Sequence, residues 1–334
     1  MKPIIECVPN FSEGQDETTI AAIAAAVKSV EGVQLLHQDS GKAANRTVYT
    51  FAGEVQAVFE AAYRAIAVAV EKIDMRKQKG EHPRIGACDV CPFIPISGIS
   101  LKELVPLTRS FAEKVSRDFR IPIFFYEESA TSKKRKNLAS HRIGQYEALR
   151  ERLKNGKWKS DFGEYNPSFG GCVMGVRKFL VAYNINLNTT DAHIAQEIAF
   201  DLRELGRPIG KENGKTIYKP GKLKNVKAIG WYIKDFDRAQ VSINLTDFEK
   251  TPLHMVYEQC KLIANVFGVK VTGSEVIGLI PKAALLSCGK FYLKEKANAT
   301  EEEYIQSAIE QLNLGELNNF DYKKRIIEYA LMQK

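Results

Sequence analysis

No stretch of this 334-residue chain approaches the roughly 18–20 apolar residues of a membrane-spanning helix. The N-terminus, "MKPIIECVPNFSEG", lacks the basic-then-apolar layout of a secretory signal. Six cysteines are spread thinly, without the dense framework of a disulfide-stapled domain. That usage fits a reducing compartment, and the expected location is cytoplasmic. Neither G-x-G-x-x-G nor G-x-x-x-x-G-K-[ST] occurs in a strand-to-helix setting, so nucleotide-cofactor chemistry has no support in the sequence.

What is present is the composition of a soluble globular protein, 45% hydrophobic and 26% charged, at a length suited to two domains. Two distant segments have the same order of elements. In the first, strand-like residues 4–9 precede a helix over 18–29, strands over 33–37 and 46–51, a helix over 55–73 and a final strand, "ACDVCPFIPI". In the second, "KFLVAYNINL" (178–187) leads to a helix over 191–205, capped by Thr190 or Asp191 and by Gly206. A strand pair, "VKAIGWYI" and "AQVSINL", a helix over 252–267 and "SEVIGLIP" complete it. The expected fold is therefore α/β (α+β): two ferredoxin-like βαββαβ subdomains in tandem, each a sheet with helices on one face. The expected boundary separates residues 1–178 from 179–334. An extra helix over 101–118 and a strand over 122–126 extend the first half, and a helical tail begins near residue 299.

The net charge of +8 is concentrated. Residues 131–160 hold ten Lys/Arg (Lys133, Lys134, Arg135, Lys136, Arg142, Arg150, Arg152, Lys154, Lys157, Lys159) against Glu147 and Glu151. That segment reads either as a solvated helical face and linker or as a patch that concentrates a polyanionic small molecule. A nucleic-acid module would need a binding motif, and none is recognisable.

"GEHPRIGACDVC" (80–91) combines a histidine, a glutamate and a Cys-x-x-Cys pair. A zinc deaminase arranges such groups as H-x-E followed by P-C-x-x-C opening a helix. Here Glu81 precedes His82, and Cys88 and Cys91 fall in a strand, where residues three apart point to opposite faces. No second Cys-x-x-Cys and no H-x3–5-H accompanies them, so no metal is expected and the cysteines read as small core residues. His82 lies in a polar loop at a strand entrance, where an imidazole titrating near neutrality can give and take protons. The run "FGEYNPSFGGCVMG" (162–175) is too rich in Gly, Pro, Asn and Ser for a helix or strand. It is either an interdomain linker or a loop whose amides approach a planar ligand, with Tyr165 and Phe169 placed for stacking.

Taken in order, "ECVPNFSEG", "NRTVYTFAG", "GEHPRIGACDVCPFIP", "FGGCVMGVRKFLVAYNINL", "KAIGWYI" and "QVSINLTDFEKTPLH" resemble the formiminotransferase domain of the formiminotransferase-cyclodeaminases. The resemblance runs from residue 4 to the closing "RIIEYAL", with no cyclodeaminase domain after it, as in a stand-alone transferase. It implies transfer of the formimino group from N-formimino-L-glutamate to tetrahydrofolate, in histidine degradation. Tetrahydrofolate, which can carry a polyglutamate tail, would be co-substrate, without a metal. The resemblance also implies a homodimer, and a cyclodeaminase on a separate chain would be a further partner; neither nucleic acid nor membrane is expected.

The family's catalytic histidine falls on His82, and its folate-binding loop on Gly163, Glu164, Tyr165, Asn166, Pro167, Ser168, Phe169, Gly170, Gly171 and Cys172. Arg46, Arg84, Arg177 and Lys178 adjoin the shared motifs and are candidates for the substrates' carboxylates. Asp39 is a candidate partner for an amine or a pterin N–H. Two alternatives stay open: related formyl chemistry (a formylglutamate transferase or an ATP-using 5-formyltetrahydrofolate cyclo-ligase), and a non-catalytic folate- or RNA-binding protein.

Overall fold

In this computed structural model residues 2–42, 44–156, 158–294 and 299–332 are described. The chain forms two compact units, Met1–Lys178 and Phe179–Lys334. In the first, β1 (Ile4–Cys7) and β2 (Asn10–Phe11) are followed by α1 (Glu17–Lys28), β3 (Val33–Gly41), β4 (Arg46–Glu54), α2 (Val55–Lys72) and β5 (Cys88–Ser97). Next come α3 (Leu101–Phe119), β6 (Ile123–Phe125), α4 (Leu138–His141), α5 (Gln145–Lys154) and β7 (Cys172–Val176).

Local chemistry sets the helix starts. The Asp16 carboxylate accepts the amides of Thr18 (3.0 Å) and Thr19 (3.3 Å), and Ser100 with Glu103 forms a capping box on α3. Apolar residues at helical spacing, such as Ile20, Ile23, Ala24 and Val27 of α1, face the sheet.

The strands run β3–β4–β1–β5 antiparallel, with β2 continuing β1 between β4 and β5. β7 and then β6 add parallel to β5. α1, α2 and α3 bury one face over Phe11, Tyr49, Phe51, Phe93 and Met174. The expectation of helices on one face holds for that side. At the β5–β7–β6 end the other face is covered too, where Val90, Phe124 and Val173 meet Leu149, with Leu138, Leu153 and Trp158 packed around them. Parallel strands joined by long crossovers are buried on both faces, and the basic segment supplies the second cover.

The second unit begins with β8 (Val181–Leu187), α6 (Ala192–Leu202), β9 (Arg207–Glu212), β10 (Lys215–Lys219), β11 (Val226–Ile233), β12 (Arg238–Leu245), α7 (Leu253–Val266) and β13 (Val271–Ile277). Its sheet, β11–β12–β8–β13, repeats the order of β3–β4–β1–β5. α8 (Lys282–Leu293), α9 (Glu301–Gln311), α10 (Tyr322–Arg325) and α11 (Ile327–Ala330) close the chain, so the helical tail starts earlier than expected.

Three sequence expectations need correction. α6 stops at Leu202, and Gly206 (φ +78°) turns the chain into the unanticipated β9–β10 hairpin. Its signal was "NG": Asn213 and Gly214 both take positive φ (51° and 75°), as the tightest hairpin turns require. Second, the run 162–175 is neither a linker nor wholly loop, since Cys172–Val176 is an interior strand of the first sheet. Third, Cys88 and Cys91 lie on the same face, in the core with Cys7 and Cys172. The pairing of β2 with β5 shifts between Asn10↔Val90 and Phe11↔Cys88, a bulge at Asp89 that resets the alternation. Cys7 and Cys91 stand 3.6 Å apart, sulfur to sulfur, and burial pushes the Cys7 and Cys88 thiols well up.

Candidate active site

Because β5, β7 and β6 are parallel, the segments entering them meet at one edge of the sheet. Residues 80–87 lead into β5 and residues 163–171 into β7. The two are stitched together by Ala87 N–H to Phe169 O (2.7 Å), Gly171 N–H to Ile85 O (2.9 Å) and a bridge between Gly86 and Gly170. Met75 N–H adds a bond to Ser168 O (2.8 Å), and Tyr146 Oη donates to Pro167 O (2.6 Å). His82 and the loop, eighty residues apart in sequence, thus share a neighbourhood within the first unit.

His82 is half-buried. Burial first, then the positive charges of Arg46 and Arg142, bring its pKa down to about 4. At neutral pH the ring is uncharged and has a lone pair to offer, which suits a general base. The Arg46 guanidinium comes from the start of β4, and its Nε is buried without a hydrogen-bond partner among the described residues. Burial lowers the Arg46 pKa, Asp39 on β3 supports the charge, Arg142 opposes it and Asp89 supports it. Asp39 is exposed at the rim.

Arg142, which follows α4, is in the sequence only one cation of the basic segment. Its Nε donates to Asp89 Oδ2 at 2.9 Å, and its Nη2 donates to the same oxygen. Asp89 is 1% exposed and also accepts the Ile85 amide at 2.8 Å. Burial pushes its carboxyl up, and Arg142 pulls the other way. The bulge that aligned the cysteines therefore also aims Asp89 at Arg142. The sequence signal for Asp89 is an aspartate inside an otherwise apolar strand.

Arg84 does something else. Its five N–H groups are all engaged, on Gln78 Oε1 and O, Gln145 Oε1 and both Glu147 oxygens (2.9 and 2.8 Å). It clamps the His82 segment to α5 and has no donor left for a substrate. Arg177 and Lys178 follow the far end of β7. Phe93, which pairs with Val176, lies five residues from Cys88, or roughly 17 Å along the strand. The structure does not bring these two to His82.

The loop divides. Gly163, Glu164 and Pro167 are exposed and Tyr165, Asn166 and Ser168 partly so, whereas Phe169, Gly170, Gly171 and Cys172 are buried. Phe169, expected to stack on a ligand, packs in the core instead, as does Cys172. Asn166 shapes the turn by accepting the amides of Ser168 (3.1 Å) and Phe169 (3.0 Å). The tip 163–165 separates two open clefts, one of about 500 Å³ against Ser116, Arg117 and Arg120, the other of about 480 Å³ against Arg150, Lys154 and Lys159.

Much of the basic segment is structural. Arg135 pairs with Asp161 at 2.7 Å, Lys136 with Glu128 at 3.1 Å, and Arg152 donates to the carbonyls of Ser140, His141 and Ile143. Lys157 lies outside the described residues. His141 is buried, accepting the Trp158 indole N–H on Nδ1 (3.2 Å) and donating from Nε2 to Arg135 O (2.8 Å). Among the described residues no group of three or more His, Cys, Asp or Glu is arranged to hold a metal ion, and no helix is long and apolar enough to cross a membrane.

Two family models match in succession: the formiminotransferase domain, N-terminal subdomain, over residues 4–177, and the formiminotransferase domain over residues 182–332. A formimidoyltransferase-cyclodeaminase of Rattus norvegicus is 46% identical over 99% of this chain. The chain spans 60% of that relative's length. A glutamate formimidoyltransferase of Streptococcus pyogenes serotype M1 is 40% identical, the match covering 99% of this chain and 100% of that protein. One from Thermoplasma acidophilum is 39% identical over 91% of this chain and 98% of its own. With both subdomain models matched in succession along it, the chain belongs to the formiminotransferase family.

Proposed function

We propose that this protein transfers the formimino group of N-formimino-L-glutamate to tetrahydrofolate, releasing 5-formimino-tetrahydrofolate and L-glutamate, a step of histidine degradation. The observation that carries the reading is the end-to-end similarity to a glutamate formimidoyltransferase of the same extent. The uncharged histidine beside two guanidiniums supports it chemically. The reading includes a cytoplasmic homodimer.

His82 acts as the proton carrier. The folate N5 lone pair attacks the amidine carbon, and the C=N π pair moves onto the imino nitrogen. The proton lost by N5 goes to the His82 ring. The same proton then passes to the glutamate nitrogen, the C–N bond to glutamate breaks with its pair on that nitrogen, and the C=N bond re-forms on folate. General acid–base assistance of this kind contributes about 10²- to 10⁴-fold, and positioning adds to it. The accessible loop residues 163–168 face the folate, Arg46 and Asp39 face the amino-acid half, and Arg84 holds the scaffold.

Purified protein mixed with formiminoglutamate and tetrahydrofolate is expected to form 5-formimino-tetrahydrofolate, followed by its absorbance. No turnover, combined with ATP-dependent conversion of 5-formyltetrahydrofolate, overturns the assignment in favour of formyl chemistry.

A further inference from the structure

We propose that Arg46 and Arg142 together form a receptor for one carboxylate of the amino-acid substrate, with buried Asp89 as the residue that positions Arg142. The proposal rests on formimino transfer as the activity, and it names a role for two residues, Arg142 and Asp89, that the sequence did not single out.

Two like charges beside a histidine are unfavourable unless something answers them. Asp89 answers Arg142 on one side only, through Nε and Nη2 to a single oxygen, leaving Nη1 without a partner among the described residues. Arg46 makes no side-chain hydrogen bond among the described residues, and its Nε is closed off from water. A charged N–H buried in this way is costly until an acceptor arrives. The charged groups around His82 are Asp39 from β3, Arg46 from β4, Asp89 from β5, Arg142 after α4, and Lys79, Glu81 and Arg84 on its own segment. Lys79 and Glu81 are exposed to solvent, Arg84 is satisfied by Glu147, and Asp39 is exposed at the rim. The unfilled donors thus belong to Arg46 and Arg142. A planar oxyanion between two guanidiniums accepts from both, and a carboxylate of formiminoglutamate is such a group.

The position of Asp89 is built rather than incidental. The bulge in β5 takes this residue out of the ladder, and the Ile85 amide (2.8 Å) fixes the carboxylate before Arg142 grips it. Arg142 is fixed from its other side by the framework around α4, where Arg152 and the His141–Trp158 pair lock the backbone. A bound carboxylate also changes His82. With both guanidiniums paired, they oppose a proton on the ring less, although burial still disfavours it, so the imidazole takes a proton more readily once substrate is seated and can deliver it to the departing nitrogen.

The test uses wild type, Arg142→Lys, and the double variant Asp89→Asn/Arg142→Gln, in which two amides replace the ion pair so that no buried charge is stranded. Turnover by wild type is established first; its absence would count against the parent activity, not against the receptor. In the double variant KM for formiminoglutamate is expected to rise about 10- to 100-fold while KM for tetrahydrofolate stays unchanged. L-Glutamate is the probe for binding. In wild type it should raise the NMR titration midpoint of His82, identified by its loss in His82→Ala, and in the double variant it should not. An unchanged KM for formiminoglutamate, or a normal rise of the midpoint in the double variant, overturns the proposal. Should the double variant not fold, Arg142→Lys keeps the charge on Asp89 but not the fork, and an unchanged KM there overturns it equally. Inorganic phosphate binding as tightly as L-glutamate at equal ionic strength would overturn the carboxylate assignment.

Discussion

His82→Ala lowers kcat for formimino transfer about 10²- to 10⁴-fold, while tetrahydrofolate still binds. The split between kcat and folate affinity is the diagnostic. His82 is half-buried and its side chain makes no hydrogen bond among the described residues, while the edge is held by the Arg84 clamp and the Gly86–Gly170 bridge. Binding measured by fluorescence titration and turnover measured separately will show whether the residue acts on protons or on structure. Near wild-type kcat would remove it from the mechanism. The same variant has a signature in stability. In the folded chain His82 stays unprotonated down to pH about 4, whereas in the unfolded chain it binds a proton below about 6.5. The unfolded state therefore binds more protons between those values, and His82 withdraws stability as pH falls through that window. His82→Ala should flatten this part of the pH–stability curve and leave the part above pH 7 unchanged.

Gly86→Ala is expected to be severe although it adds one methyl group. A Cβ at Gly86 would lie 2.2 Å from Gly171 O, 2.6 Å from Gly171 N and 2.7 Å from Phe169 O. All three are backbone atoms and cannot swing aside. The segments would have to part, losing Ala87 N–H to Phe169 O and Gly171 N–H to Ile85 O. Overpacking plus two lost buried hydrogen bonds amounts to about 3–5 kcal/mol, a large share of a domain's stability. The melting temperature should fall by about 10 °C or more, and activity should fall with it. Gly210→Ala is the control, since a Cβ there meets nothing within 4 Å. Equal melting temperatures for the two variants would show that the bridge between the loops is not under the strain the geometry describes.

The helices were legible because their determinants are local. Asp16, Ser100 with Glu103, and Asp191 announce their starts, and the 3.6-residue period of apolar positions gives their faces. The repeated element order gave the tandem arrangement, and both sheets run in the same strand order. The hairpin at Asn213–Gly214 has an equally local determinant, two adjacent residues that accept positive φ. Alternation failed at Cys88 and Cys91 because a bulge depends on how β2 pairs with β5, which is a property of two strands and not of either one.

At the site the sequence by itself determined which side chains are available: an imidazole in a polar loop, a Gly-rich run able to fold back closely, and many arginines. What those arginines do was decided by the tertiary structure alone. Arg84 and Arg142 are the same kind of residue with the same reach, yet Arg84 closes on Glu147, Gln145 and Gln78, while Arg142 spends two N–H groups on Asp89 and keeps three unpaired among the described residues. Apart from Gln78, six residues before Arg84, the partners lie 53 to 63 residues away in one direction or the other. They meet because the parallel strands β5, β7 and β6 bring their entrances to one edge. A guanidinium takes its role from the acceptors within about 3 Å, and only the folded chain sets those distances.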